Sequence, residues 1–284
     1  EMKQVFLSFI PIFVIGNIYS QTTFNLRERY DFLATVLTSV VPTDSGYYIS
    51  GIIADTVFPY NTGAIFMKLD MDGEPLFIKT LENTEKTYEP WFNDLAVLPD
   101  GNFIVSGVTV DSVEKSLLLK YSPEGDTIFS REFFNPAYPL PYIMQPRGGV
   151  GIMPDGGLVL LNYVRVSPLG TDFYIIKTDS LGNQLWGKVF GNSMWERPTS
   201  MVVTPAGKIL AGGIRTNQHT NVQNYIFRCH LFQVDGEGNQ EWEWSSPLSW
   251  GLRDAANDML LLPDGSIIVA SGVGHEQQRA SVNE

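Results

Sequence analysis

The sequence predicts an all-β fold: a β-propeller of four-stranded antiparallel blades, about four of them complete and a fifth truncated. Three observations predict it. Two kinds of tight-turn signature alternate along the chain, and both recur at one period of roughly 50 residues. The stretches between turns are short apolar runs, rich in branched and aromatic side chains, without a 3.6-residue rhythm.

The N-terminus stands apart from this pattern. Lys3 gives a positive start, Val5–Ile15 is an apolar run, and Ser20 is a small residue ahead of Gln21. That order predicts a secretory signal peptide over residues 1–20. The run is short of the roughly 20 apolar residues a permanent transmembrane helix needs. No cysteine follows it, so a lipid anchor is not expected. Extracellular or cell-surface delivery is the expectation, with no membrane insertion once the leader is cleaved. Glu1 before Met2, and a chain that stops soon after a strand pattern, read as a fragment of a longer product.

The first turn series is Asp44-Ser45-Gly46, Pro99-Asp100-Gly101, Pro154-Asp155-Gly156, Pro205-Ala206-Gly207 and Pro263-Asp264-Gly265. Its glycines lie 55, 55, 51 and 58 residues apart. Pro presets φ, Asp bonds its own backbone, and Gly accepts the positive φ that a Cβ penalises. The second series ends at Gly73, Gly125, Gly182 and Gly238, with spacings of 52, 57 and 56. An aromatic lies four residues after each: Phe77, Phe129, Trp186 and Trp242. These rings are expected on outermost strands, wedged between neighbouring blades, each burying roughly 150–250 Å².

Runs such as Leu95–Leu98 and Phe103–Gly107 flank the first turns, and Leu117–Tyr121 and Tyr174–Thr178 precede the second. One period therefore reads as two hairpins, a four-stranded meander that cannot bury its own faces and must stack on copies of itself. Blades are expected over about 36–80, 95–134, 149–190 and 200–245, with a fifth over 258–284. Thr22–Tyr30 is a candidate outer strand for closing the ring. A β-helix coil is too short for this period, and unrelated sandwiches would not share it.

Composition narrows the function classes. The net charge of −12 disfavours nucleic acid and anionic membranes, which require Lys and Arg against phosphate. It is compatible with neutral ligands, carbohydrate or divalent cations. Cys229 is alone, so an intramolecular disulfide and a Cys-based zinc site are both excluded.

The block Ile176–Gly191, followed by Met201–Gly207, resembles the secreted propeller-repeat proteins of Bacteroidetes. Tyr47-Tyr48-Ile49-Ser50-Gly51 after Gly46 matches their second block. The resemblance covers about 36–272 and implies cell-surface delivery through type IX secretion. Ser122-Pro123 in the second blade and Ala206 in the fourth depart from the pattern. The Asp-x-x-Gly-x-x-x-Trp block is also similar to the docking block of quinoprotein-like propellers. Their cofactor site needs convergent cation ligands that this sequence does not display, so no cofactor is expected.

Chemistry-bearing constellations are sparse. His219, His230 and His275 have no metal-ligand spacing, and no nucleophile turn of the G-x-S-x-G kind is present. Asp70-Met71-Asp72-Gly73 and Asp235-Gly236-Glu237-Gly238 lack the closing acids of a calcium loop and read as hairpin turns. No metal site is expected.

The loops entering each innermost strand carry Trp91, Asp94, Tyr142, Arg147, Trp195, Arg197, Trp250, Arg253 and Asp258. Rings beside Arg and Asp suit sugar or peptide recognition, and these are the candidate ligand-binding residues. The opposing expectation has the tryptophans plugging blade junctions and the aspartates serving local N–H groups. The first functional expectation is a non-catalytic, exported binding or display scaffold, with carbohydrate or extracellular protein as partner. The alternative is a polysaccharide lyase or hydrolase using Asp94, Arg147, Glu196, Arg253 and Asp258, which needs two carboxylates close together. A structural spacer within a larger adhesin is the third.

Overall fold

The structure, a computed structural model, describes residues 32–56, 61–138, 149–167, 170–192, 195–216, 227–247 and 254–272, the side chains of 91–94 excepted. The expected signal peptide at 1–20 and the candidate closing strand at 22–30 lie outside the described residues. Every regular element described is a strand, and no helix among these residues is long and apolar enough to cross a membrane.

Four sheets have four strands each, in strictly sequential order. The first contains β1 (Ala34–Thr43), β2 (Gly46–Ala54), β3 (Thr62–Leu69) and β4 (Pro75–Leu81). The second contains β5 (Thr87–Val97), β6 (Phe103–Val110), β7 (Glu114–Tyr121) and β8 (Thr127–Phe133). The third contains β9 (Val150–Ile152), β10 (Leu158–Ser167), β11 (Gly170–Thr178) and β12 (Gln184–Phe190). The fourth contains β13 (Glu196–Val203), β14 (Ile209–Thr216), β15 (Phe227–Val234) and β16 (Gln240–Ser245). A pair, β17 (Ala255–Leu261) and β18 (Ile267–Gly272), follows.

The sheets are arranged radially. The first strand of each packs on the first strand of the next: β1 on β5, β5 on β9, β9 on β13, β13 on β17. Sheets stacked as a sandwich would bring whole faces together and would not leave inner strands in a continuous series of contacts. Three hydrophobic cores fill the three junctions between complete blades. Tyr48 and Phe66 of the first blade stack on Phe103 and Tyr121 of the second. Leu118 and Ile104 meet Leu160 and Ile176, and Phe173 and Ile175 meet Ala211 and Phe232.

The turns are built by local hydrogen bonds. Asp100, Asp155 and Asp264 each accept, at Oδ1, the N–H of the residue two positions on, at 2.9–3.0 Å. Where the fourth blade has Ala206 instead, Thr204 Oγ1 accepts from the Lys208 N–H at 3.1 Å. In the second series Asp70, Asp179 and Asp235 each take two backbone N–H groups, and Ser122 replaces the aspartate in the second blade. The carboxylates of the calcium-like loops are thus engaged by their own backbone.

Phe77, Phe129 and Trp186 lie on outer strands and reach the next blade, against Gly125, Gly182 and Gly238 in turn. Trp242 differs: it is 41 % exposed, since β17 and β18 have no outer hairpin among the described residues for it to cover.

The glycine on β2, β6 and β14 answers to a bulge on the first strand of the same blade. The register slips between Leu37 and Ser39, Pro90 and Leu95, and Pro198 and Ser200. A Cβ on Gly51, Gly107 or Gly213 would overlap the carbonyl oxygen of Val36, Glu89 or Arg197 respectively. The bulge brings inner-strand carbonyls over the second strand, and only glycine leaves room. Bulges also re-aim the side chains that precede them at the rim, which places the site described next.

Candidate functional site

The between-blade connections and the β10–β11 and β14–β15 loops share one end of the meander, so residues at the starts of β11 and β13 and the end of β14 meet there. At the junction of the third and fourth blades they bring together Asp172, Glu196 and Arg215. Glu196 is 0 % exposed and Asp172 7 %. Thr171 Oγ1 donates to the Glu196 carbonyl at 2.6 Å, and Trp195 bridges Thr171, so the entry to β13 is pinned against β11.

Gly191 lies directly over the two acids. A Cβ there would overlap Glu196 Oε2 and meet Asp172 Cγ at 2.5 Å and Oδ1 at 2.6 Å. Both carboxyl groups therefore crowd one small volume, and Gly191, itself exposed, is the cover between them and solvent. The donors are divided unequally. Arg215 Nε donates to Glu196 Oε1 at 2.7 Å, and the Asn192 backbone N–H adds to it. Asp172 Oδ1 and Glu196 Oε2 have no hydrogen-bond partner among the described residues.

Burial pushes the Asp172 carboxyl up to about 7, and the neighbouring Glu196 charge adds to the shift. Burial raises Glu196 too, against the pull of Arg215. Two acids this close do not both ionise readily, so the charge on one opposes loss of the proton from the other. The donor asymmetry favours Asp172 as the member that holds a proton and Glu196 as the one that ionises.

Arg215 also reaches Glu243 Oε2 at 3.3 Å. His230, 2 % exposed, lies edge-on to Phe173, with Nδ1 at 2.9 Å from Ser245 Oγ and 3.1 Å from the Trp244 carbonyl. Burial, with Arg215 nearby, holds its imidazole down at about 4.

Of the residues expected at the rim, Trp195 and Arg197 flank Glu196 on either side in β13 and its approach. Trp195 is half-buried, with its ring 6.0 Å from that of Phe227. Arg197 is half-buried, and its Nε has no hydrogen-bond partner among the described residues. Asp258 is exposed and sits apart, accepting from the Met259 N–H at 2.8 Å and from Ser200 Oγ at 3.1 Å. Trp91 and Asp94 lie on β5 with side chains outside the described set. Tyr142, Arg147, Trp250 and Arg253, with His219 and His275, lie outside the described residues.

Sequence reasoning named Glu196 and His230, the latter without a site role, but missed Asp172, Arg215 and Glu243. One signal was available. Asp172 is the lone acid inside β11, a strand buried throughout.

No protein-family model matches the sequence, and no curated protein matches it. Solved structures do share the fold. A protein of unknown function from Dyadobacter fermentans is 14 % identical, with a TM-score of 0.52, over 87 % of this chain and 83 % of that one. The α-L-arabinanase of Penicillium chrysogenum, solved with arabinobiose, is 16 % identical, with a TM-score of 0.50, over 85 % and 80 %.

The fold is a β-propeller.

The expectation of a non-catalytic binding or display scaffold, and of a chain more binding module than enzyme, is corrected. Its ground was the apparent lack of an acid–base pair. The propeller brings Asp172 and Glu196, on different blades, into such a pair, and a solved neighbour with this fold is a carbohydrate-acting enzyme. The pair escaped notice because its members sit in separate runs and meet only when one blade packs on the next.

Proposed function

We propose that this propeller is a carbohydrate-active enzyme that hydrolyses glycosidic bonds at the rim between its third and fourth blades. The observation that carries the reading is the close pair of Asp172 and Glu196, unequally supplied with hydrogen-bond donors. The fold shared with an arabinanase that was solved with arabinobiose supports the substrate class.

Glycoside hydrolysis needs one carboxyl that holds a proton near neutral pH and one that stays charged. Asp172, whose Oδ1 has no donor among the described residues, supplies the first; Glu196, held by Arg215, supplies the second. Asp172 gives its proton to the glycosidic oxygen as the bond from the anomeric carbon breaks, and that oxygen keeps the bonding electron pair. Glu196 then faces the positive charge developing on the sugar ring. The spacing favours direct attack by Glu196, since retaining pairs stand roughly 5–5.5 Å apart whereas a water-holding inverting pair needs roughly 6.5–9.5 Å. A water, deprotonated by the now ionised Asp172, releases the sugar and restores both groups. Trp195, beside Glu196, offers the flat apolar ring on which a sugar stacks.

Export fits this reading, because polysaccharide is met outside the cell. Residues 1–20 support a leader, and the resemblance to Bacteroidetes repeat proteins supports delivery to the cell surface. Fractionation of the native producer would place the protein in the culture fluid or on the cell surface.

The decisive assay incubates purified protein with arabinan, xylan, pectin and aryl glycosides and measures new reducing ends. Glu196→Gln and Asp172→Asn should each lower turnover by about 10²-fold or more, as loss of a general acid or base does. No release by the wild type across the panel, or full activity in both variants, would overturn the reading.

A further inference from the structure

The arginines of this acidic chain are gathered in one place. Five lie among the described residues, and four of them stand at the loop end of the third and fourth blades. Arg165 is near the end of β10, Arg197 at the start of β13, Arg215 at the end of β14 and Arg228 at the start of β15. A chain with a net charge of −12 thus sets its guanidinium groups around the acid pair.

Three of the four are committed. Arg215 donates to Glu196 and Glu243, and Arg228 to the backbone carbonyls of Ser246 and Ser245. Arg165 has a partner of its own. Arg197 is the exception. Its Nε is buried and donates to nothing, and it forms no ion pair among the described residues. Segments 139–148, 168–169, 193–194, 217–226 and 248–253, which join the strands at this end, contain no Asp or Glu to neutralise it. A buried donor without an acceptor calls for an explanation, and an acceptor brought by a ligand supplies one.

The surroundings fit an anion. Val159 and Leu161 of β10 belong to the core between the third and fourth blades, so Tyr163, two residues on, faces the same junction. Tyr163 is 4 % exposed. Burial pushes its phenol well above the usual range, against the pull of the Arg197 charge beside it, so at neutral pH it is an O–H donor. Arg165 and Glu114, the other charges that act on Tyr163, each have a partner already. The backbone of Arg197 is fixed by the bulge that follows it, with Gly213 lying against its carbonyl oxygen. Arg197 comes directly after Glu196, roughly 3.3 Å along the strand, so whatever it holds lies beside the acid pair.

We propose that Arg197 and Tyr163 form the subsite for a sugar carboxylate, and that the polysaccharide cut at Asp172 and Glu196 is built on uronic acid. The guanidinium fork matches a carboxylate in shape and charge, and the Tyr163 hydroxyl adds a donor. A neutral pentose offers Arg197 no such acceptor. The cut rests on the hydrolase reading above; the binding does not.

The test measures binding to the full chain by calorimetry. The probes are trigalacturonate and a glucuronate-bearing xylo-oligosaccharide, each beside its methyl ester, with arabinotriose for comparison. The wild type should hold at least one of the acids about 10-fold or more tightly than its ester, as a hydrogen bond to a charged group is worth. Arg197→Met should bring acid and ester to the same affinity, with Arg197→Lys in between. A wild type that treats acid and ester alike overturns the proposal, and that comparison stands even if the variants do not fold. Arg197→Met that still prefers the acid overturns it too. Acid binding without cleavage of any glycan supports the subsite and sinks the hydrolase reading. Cleavage confined to neutral arabinan sinks the subsite and leaves hydrolysis standing.

Discussion

Trp186, on the outer strand of the third blade, donates from its indole Nε1 to the carbonyl of Gly236 in the fourth, 3.2 Å away. The ring lies flush on Gly238, where an added Cβ would come within 3.1 Å of it. Lys188 reinforces the contact by donating to the Glu237 and Gly238 carbonyls. Phe129 on Gly182 and Phe77 on Gly125 repeat it at the other junctions. An aromatic on one blade is thus a lid for the turn of the next.

Trp186→Ala should therefore destabilise the fold by about 2–4 kcal/mol, at or below the usual range for a large core ring because this one is partly exposed. Chemical denaturation of the two proteins under identical conditions measures it. A difference under about 0.5 kcal/mol would mean the ring is a surface ornament.

Gly213→Ala should cost about 1–3 kcal/mol, because the new methyl overlaps the Arg197 carbonyl oxygen and meets Phe173 Cζ at 2.9 Å. Gly101→Ala, where the methyl would meet nothing within 4 Å, isolates the separate cost of a positive φ of 80°, which Gly213 does not have. A loss under about 0.5 kcal/mol at Gly213 would remove the bulge argument.

Asp172 makes stability depend on pH. Its carboxyl ionises at about 7 when folded, against roughly 3.9 when unfolded. Protonation thus favours the folded state. The contribution is whole below about pH 4 and is lost as pH rises towards and through 7. Asp172→Asn cannot ionise, so its Tm should change less than the wild type's between pH 4 and pH 8. Superimposable Tm–pH curves would show that the acid is not desolvated as described.

His230 acts in the opposite sense. Its imidazole is held down at about 4, against roughly 6.5 unfolded, so folding favours the neutral ring. That stability is complete above pH 6.5 and is lost as pH falls through 4. NMR titration should find the His230 ring unprotonated at pH 5.5; a midpoint near 6.5 would contradict its burial against Phe173.

Arg215→Met removes the main counter-charge of Glu196, whose side chain is wholly buried. Breaking a buried pair in this way costs roughly 3–5 kcal/mol when the remaining charge is stranded. The Glu196 carboxyl should also move further up, shifting the acid limb of any hydrolytic pH profile towards higher pH. An unchanged denaturation midpoint and profile would show that Arg215 takes no part in holding the acid.

How much of this was legible in the chain varies by element. Pro99-Asp100-Gly101 and Asp179-Ser180-Leu181-Gly182 announce their turns because the residues that make them are adjacent, and each closes its own hydrogen bonds. Phe77 and Trp186 could be placed between blades from their offset to the turn alone. The same offset misplaced Trp242, which stands exposed because burial depends on a neighbouring hairpin and not on the residue. Trp195 lies in the approach to β13, and Arg197 lies within that strand. The acid pair beside them was not seen, since Asp172 and Glu196 occupy different blades and neither run hints at the other.

Local chemistry was enough for the repeat: turn residues, apolar runs and their period act over a few bonds, and a module with two apolar faces has to stack. Which groups then share a volume is a matter of blade packing. Asp172 and Glu196 became a coupled pair, drained of water and unequally supplied with donors, only once the third blade closed on the fourth. Desolvation and charge coupling act through space, and that space exists only in the folded ring.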